Sequence, residues 1–237
     1  NGLLNIHLAI TTDKAGTTRN SIEGIYQDDE SQIVFIDTPG IHKPIHKLGN
    51  VLNKTAYLNM NQADIILFMI DAKTGFGKGD QFILNKIKET EDVPVFLLLN
   101  KVDKIEKETL FKTIDKATKD FTFQEVIPIS ALEKDGLDDL VKTLKKYLPD
   151  SDPIFEDDAL TNVSTKFIMA EFVREKAMQL TREEVPHAIT CYVENYKETD
   201  DLIKVQVLIV VDRLPLKKII IGKNGSMLKK IGTSARY

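Results

Sequence analysis

The chain has 237 residues, 42% of them hydrophobic and 29% charged, which is long enough for two separate cores and too apolar for a disordered chain. Its one cysteine, Cys191, excludes an internal disulfide and any thiol metal cluster and suits a cytoplasmic protein. The net charge of −4 hides a segregation, since residues 212–237 carry seven basic side chains against one acidic and leave −10 on residues 1–211; no apolar run approaches the roughly 20 residues that span a bilayer, and no signal peptide is visible.

The chain opens on Asn1-Gly2-Leu3-Leu4-Asn5 with no apolar strand before it, although a parallel nucleotide-binding sheet is expected to begin with one. Gly16-Thr17-Thr18-Arg19-Asn20 is polar and reads as a switch loop, with Thr18 the candidate to coordinate Mg²⁺ when a triphosphate is bound. Ile33-Val34-Phe35-Ile36 has strand character and delivers Asp37-Thr38-Pro39-Gly40 to a strand's carboxyl end, where ligands bind in open α/β sheets. Asp37 there would hold Mg²⁺ through a water, and the Gly40 amide would face a γ-phosphate, because a backbone without a side chain can approach closely. The same four residues also fit an ordinary Pro-Gly turn. Ile41 occupies the position where many small GTPases carry a glutamine that orients the attacking water, a task isoleucine cannot perform. His42 beside it is either a replacement base or an exposed switch residue.

The apolar run Val95-Phe96-Leu97-Leu98-Leu99 ends in Asn100-Lys101-Val102-Asp103. Asp103 would accept two hydrogen bonds from the guanine imino and amino groups. Adenine cannot supply them, and the unpaired carboxylate then discriminates against the wrong base. Asn100 would secure the loop and the purine edge while the Lys101 stem lies along the base; alternatively, Asp103 only caps the next helix. Val126-Ile127-Pro128-Ile129 leads to Ser130-Ala131-Leu132, where the Ala131 amide could reach the guanine carbonyl oxygen. In order and spacing, these strings predict a guanine-nucleotide site. Against it, no Gly-x-x-x-x-Gly-Lys-Ser/Thr string is present, the loop whose amides and lysine hold the phosphates.

After Tyr147-Leu148-Pro149 the acidic run from Asp150 to Asp158 reads as a linker. Residues 167–180 repeat apolar positions at helical spacing, including Ile168, Phe172 and Val173, with the Met and Phe residues expected in a core. Two strand-like runs follow at His187–Tyr196 and Ile203–Val211, separated by a charged turn at Lys197–Asp201. Gly222-Lys223-Asn224-Gly225 then lies between two helical stretches, with Lys229 and Lys230 beyond it.

Asp37-Thr38-Pro39-Gly40-Ile41-His42-Lys43-Pro44, with Gly16-Thr17-Thr18-Arg19-Asn20 before it, closely resembles the bacterial Era GTPases. The resemblance covers nearly the whole chain. It implies a P-loop GTPase domain, α/β with a mostly parallel sheet, over residues 1–149, a linker at 150–165, and a smaller α+β type II KH domain at 166–237. In that family the phosphate loop reads Asn-Val-Gly-Lys-Ser-Thr-Leu-Leu-Asn, so Asn1 and Gly2 look like what remains of it. The apolar residue at Ile41 implies a slow intrinsic rate, with water positioned by backbone, ions or other side chains. Nucleotide contacts are implied for Asp37, Thr38, Pro39, Gly40, Ile41, Asn100, Lys101, Asp103, Ser130, Ala131 and Leu132, and Mg²⁺ contacts for Thr18 and Asp37. A monovalent cation is a further candidate.

The order helix, strand, strand, helix, Gly-x-x-Gly loop, helix resembles a type II KH domain, which clamps single-stranded RNA in that loop. Gly222 and Gly225 would let the sugar-phosphate backbone approach, Ile220 and Ile221 would support unstacked bases, and Lys223, Asn224, Lys229 and Lys230 would meet phosphates. Such domains close with a further strand, so an open sheet edge is expected. The implied function is a monomeric switch that hydrolyses GTP to GDP, binds the 3′ region of 16S ribosomal RNA and assists 30S subunit maturation in the cytoplasm. Era-like proteins can also associate peripherally with membrane surfaces. The alternative is a non-hydrolysing KH scaffold that has lost its phosphate loop.

Overall fold

The computed structural model describes residues 1–43, 47–90 and 93–236; Pro44, named in the switch string, lies outside them. The chain forms two units, one of Asn1–Ile6 with Gly24–Leu160 and one of His7–Glu23 with Thr161–Tyr237. This partition departs from the expected linker at 150–165. Residues 150–160 belong to the first unit, because the Gln32 amide satisfies their backbone on both sides: its Nε2 donates to Phe155 O at 2.9 Å, and its Oε1 accepts from Ile154 N at 2.8 Å and Phe155 N at 2.9 Å. A run without apolar periodicity reads as a linker, whereas a half-buried glutamine pairing with its backbone turns it into a packed edge.

In the first unit β1 (Ile22–Gln27) pairs with β2 (Gln32–Asp37). A three-stranded parallel sheet is formed by β3 (Ile66–Asp71), β4 (Val95–Asn100) and β5 (Glu125–Pro128), with β4 central. β4 is apolar without alternation because both of its faces are covered: Val95 to Leu99 expose between 0% and 5%. Val95, Leu97 and Leu99 pack with Phe68, Ile70 and Leu84, while Phe96 and Leu98 pack with Ile129, Leu140 and Leu144. The helices are α1 (Lys47–Met60), α2 (Lys78–Ile87), α3 (Lys107–Thr118) and α4 (Leu137–Lys145). Register aligns Asp71 with Asn100 and Leu99 with Pro128, so three strand ends open onto one rim.

The second unit follows the expected order with α5 (Thr165–Leu180), β6 (Ile189–Thr199), β7 (Leu202–Val211), α6 (Leu214–Ile221) and α7 (Ser226–Ser234). β6 and β7 are antiparallel, and their ladder runs through Lys197↔Lys204 to Thr199↔Leu202. The charged stretch 197–199, expected as a turn, is therefore strand, since exposed cross-strand pairing tolerates charge. Ser164 caps α5 by accepting from Phe167 N at 3.3 Å. Met178 enters the core as expected, but Phe172 is only partly buried, and the most enclosed positions of α5 include Glu171, Arg174 and Glu175. Among the described residues no helix is long and apolar enough to cross a membrane.

Candidate functional site

The rim of the parallel sheet gathers two of the sequence strings, Asn100–Asp103 and Ser130–Leu132. At the end of β4, Asn100 Oδ1 accepts from its neighbour Lys101 N at 2.8 Å and from Ala131 N at 3.0 Å, tying the loop after β4 to the loop after β5. Lys101 adopts a left-handed backbone (φ 68°), which turns the chain sharply into the short helical turn holding Asp103. Ser130, 1% exposed, donates from Oγ to Asp103 Oδ1 at 2.7 Å, and Lys104 Nζ lies 2.9 Å from Asp103 Oδ2. The Ser130 hydroxyl first and Lys104 second hold the Asp103 carboxyl below its ordinary range, so it presents an anion. Asp103 does not cap α3, whose N-cap is Glu106.

Two contacts in this geometry bear on the expected roles of Ala131 and Lys101. The Ala131 amide, expected to meet the guanine carbonyl oxygen, already donates to Asn100 Oδ1, so reading that oxygen requires Asn100 to yield the amide. Lys101 Nζ lies 2.7 Å from Asp71 Oδ2, which fixes the end of its side chain at the rim. Asp71 was missed in the sequence although it carries the same signal as the others, a carboxylate directly after an apolar strand. Leu132 is 74% exposed beside the rim.

The phosphate-side candidates are distributed differently. Asp37 is exposed at the end of β2, Pro39 is buried, and the place a Cβ would take on Gly40 has no atom within 4 Å, leaving its backbone approachable. Asn53, 5% exposed on α1, braces the chain beyond Gly40: its Nδ2 donates to His42 O at 2.7 Å and its Oδ1 accepts from His42 N at 3.3 Å. That brace was not legible from sequence. The His42 ring turns back onto its own chain, with Nδ1 3.1 Å from Gly40 O. Thr18 falls in the second unit and Asp37 in the first, so the two Mg²⁺ candidates belong to different units. Gly2 packs against the base-side loop, where a Cβ would meet Leu137 Cδ1 at 2.8 Å and Ala131 O at 3.5 Å. The residues present therefore fit the base of a guanine nucleotide. On the phosphate side Asp37 and the open Gly40 backbone fit, but no residue stands for the loop lysine.

In the second unit, Gly222 ends α6 at φ 71° and ψ 175°, and its amide donates to Lys218 O at 2.9 Å. A Cβ there would meet Met227 Cβ and N at 2.8 Å, so only glycine fits. Asn224 (φ 52°) and Gly225 (φ 76°) are also left-handed, which gives the loop its tight curl between α6 and α7. Lys223, Asn224, Lys229 and Lys230 are exposed, placing cations and a polar amide around the loop. Ile220, expected to support bases, is instead 3% exposed in the core with Ile10 and Met178. Its helical position points it inward, so it anchors α6, whereas Ile221 is half-buried next to the loop.

Comparison with known proteins agrees with both halves. Residues 1–101 match the family described as 50S ribosome-binding GTPase, and residues 184–237 match the KH domain family. A crystal structure of Era in complex with MgGDPNP and nucleotides 1506–1542 of 16S ribosomal RNA is similar at a TM-score of 0.94 and 42% identity, covering 100% of this chain and 81% of that one. An Aquifex aeolicus Era variant bound to GDP.AlF4- is similar at a TM-score of 0.93 and 42% identity, over 99% of this chain and 82% of that one. GTPase Era of Leuconostoc citreum (strain KM20) is 43% identical over 238 residues, spanning 100% of this chain and 78% of that relative. With a GTPase family match followed in sequence by a KH family match and this identity along its full length, the chain belongs to the Era family of GTPases.

Proposed function

We propose that this chain is a monomeric GTP-hydrolysing switch that binds 16S ribosomal RNA near its 3′ end and assists maturation of the 30S subunit in the cytoplasm. The observation that carries this reading is the joining of Asn100, Asp103, Ser130 and Ala131 into one cradle on a chain that also bears the Gly222–Gly225 loop. The related Era structures, one holding MgGDPNP with 16S ribosomal RNA and one holding GDP.AlF4-, support the same pairing of nucleotide and RNA.

Asp103 accepts from the guanine imino and amino groups, the Lys101 stem covers the base, and Asn100 holds the two loops in register. Asp37 is the residue of the first unit that would hold Mg²⁺, and Gly40 offers its amide to the terminal phosphate. Mg²⁺, when bound, neutralises charge developing on the transferred phosphoryl group. Ile41 contributes no polar group to water positioning, which leaves backbone, a monovalent cation or other side chains for that task. The exposed lysines around the KH loop supply a sequence-independent attraction for RNA phosphates, and the loop itself clamps an unpaired strand.

A fluorescent-nucleotide titration tests the reading, comparing GDP and GTP with ADP and ATP, followed by phosphate release and RNA affinity in each nucleotide state. Guanine selectivity of about 100-fold or more, with RNA affinity that depends on nucleotide, is the expected result. Equal binding of adenine nucleotides would sink the cradle assignment. RNA binding without nucleotide binding would overturn the switch reading and leave a non-hydrolysing RNA scaffold in its place.

A further inference from the structure

The loop after β4 is held from both of its neighbours in the sheet. On the β5 side the Ser130 hydroxyl donates to Asp103 and the Ala131 amide to Asn100, which orients the carboxylate proposed to meet the edge of a guanine. On the β3 side Lys101 Nζ donates to Asp71 Oδ2 at 2.7 Å. Asp71 closes β3 in register with Asn100, and the amide of the buried Ala72 donates to Asn100 O at 2.8 Å, so this carboxylate stands on a strand end locked to its neighbour. Its own turn fixes it further. Asp71 Oδ1 accepts from Lys73 N at 2.9 Å, and Asp71 O accepts from Thr74 N at 3.2 Å and from Gly75 N at 2.9 Å. The acid is thus a rigid post, and the flexible partner is the lysine, whose side chain is 54% exposed against 29% for Asp71.

An ion pair as exposed as this one contributes little to stability, so its consequence is positional. A free lysine stem samples many rotamers, and a ligand that lies against it must freeze them. With Nζ held at Asp71 and the backbone turned by the left-handed φ of 68°, both ends of the Lys101 stem are fixed before a ligand arrives, and its methylenes form an ordered apolar surface. We propose that Asp71 is a positioning residue for nucleotide binding, holding the Lys101 stem as a preformed platform for the flat face of a purine while Ser130 and Asn100 hold the groups that meet its edge. The inference deepens the reading of this rim as a guanine site and rests on it. Asp71 then sets how tightly the base is held and not which base, because a stacking surface accepts any purine, whereas the Asp103 carboxylate discriminates.

The test titrates GDP, and IDP, which lacks the guanine amino group, onto the full chain and onto Asp71→Asn, Lys101→Met and the double variant. Asp71→Asn keeps the oxygen that accepts from Lys73 N but turns an uncharged donor toward Lys101, and Lys101→Met keeps an apolar stem without the ammonium. Asp71→Asn is expected to weaken GDP binding about 2- to 12-fold, the cost of ordering one flexible side chain on binding, and to leave the ratio of GDP to IDP affinity unchanged. In the Lys101→Met background the same substitution is expected to change GDP affinity by less than about twofold, since the partner through which Asp71 acts is gone. An equal loss in both backgrounds, or a changed GDP to IDP ratio, would mean that Asp71 acts through the fold of the rim rather than through Lys101, and overturns the inference. Lys101→Ala, which removes the stem, separates the inference from the reading beneath it. If Lys101→Ala binds GDP as tightly as the unchanged protein, or if the unchanged protein binds no guanine nucleotide, the reading and the inference fall together. A loss in Lys101→Ala beside unaltered GDP affinity in Asp71→Asn overturns the inference alone.

Discussion

The Ser130 hydroxyl donates to Asp103 Oδ1 at 2.7 Å across 27 residues of sequence, so the loop after β5 sets the charge and orientation of the carboxylate on the loop after β4. On the proposed reading, base recognition is a joint property of these two loops and can be perturbed from either side.

The pH dependence of nucleotide binding follows from that bond. The Asp103 carboxyl is held below its ordinary range by Ser130 first and Lys104 second. The ionised acceptor is fully present above the ordinary carboxylate pKa of about 3.9, and is lost only as pH falls through the depressed value. Removing the hydroxyl in Ser130→Ala should raise that pKa, so GDP affinity should begin to fall at a higher pH than in the unchanged protein. A titration of GDP affinity between about pH 3 and 7 checks this, and coincident profiles would show that Ser130 does not tune Asp103.

Asp103→Asn should convert the acceptor that meets guanine into a group with a donor, moving preference from guanine toward xanthine nucleotides. Two charge-assisted hydrogen bonds at about 1.5 kcal/mol each correspond to a loss of roughly 100-fold in GTP affinity. Competition between GTP and XTP reads the switch directly, and unchanged GTP affinity would refute the base assignment.

Gly222→Asp should abolish RNA binding and leave nucleotide binding intact. The residue sits at φ 71° with Met227 Cβ and N only 2.8 Å from where a side chain would begin, and the carboxylate adds repulsion toward phosphate. The milder Gly222→Ala should distort the loop at a cost of about 1–3 kcal/mol and weaken RNA binding without new charge. Electrophoretic mobility shifts beside GDP titrations separate the two functions; retained RNA affinity in both variants would count against the clamp.

Phe96→Ala should destabilise the first unit by about 3–5 kcal/mol, because the ring is 0% exposed at the centre of the sheet and meets the edge of Tyr147 at a centroid distance of 5.0 Å. Urea unfolding followed by far-ultraviolet circular dichroism gives the midpoint. A change below about 1 kcal/mol would mean that the face relaxes to fill the void.

The Asn100 and Ser130 strings were legible because each follows an apolar strand of the parallel sheet, which delivers such ends to one rim, whereas the Asp37 string follows β2, a strand paired with β1 in a separate sheet and burying only Ile33. Asp71 carries that signal too, yet its importance becomes visible only when register sets it beside Asn100 and its carboxylate reaches Lys101. Asn53 had no signal at all, since an asparagine inside a helix is unremarkable until the chain beyond Gly40 folds against it. Ile220 misled for a related reason: nearness to Gly222 in sequence suggested contact with bases, whereas its place on α6 turns it into the core.

Sequence by itself determined the kinds of element, their order, the strand-end carboxylate at Asp103 and the glycine loop, because periodicity, strand ends and glycine's steric freedom are local properties. Only the tertiary structure decided where each segment belongs. Gln32 draws residues 150–160 onto the first unit, and Arg174, Glu175 and Arg19 draw residues 7–23 onto the second. Polar groups separated by more than 100 residues choose their partners by where the fold brings them, and no local pattern encodes that choice.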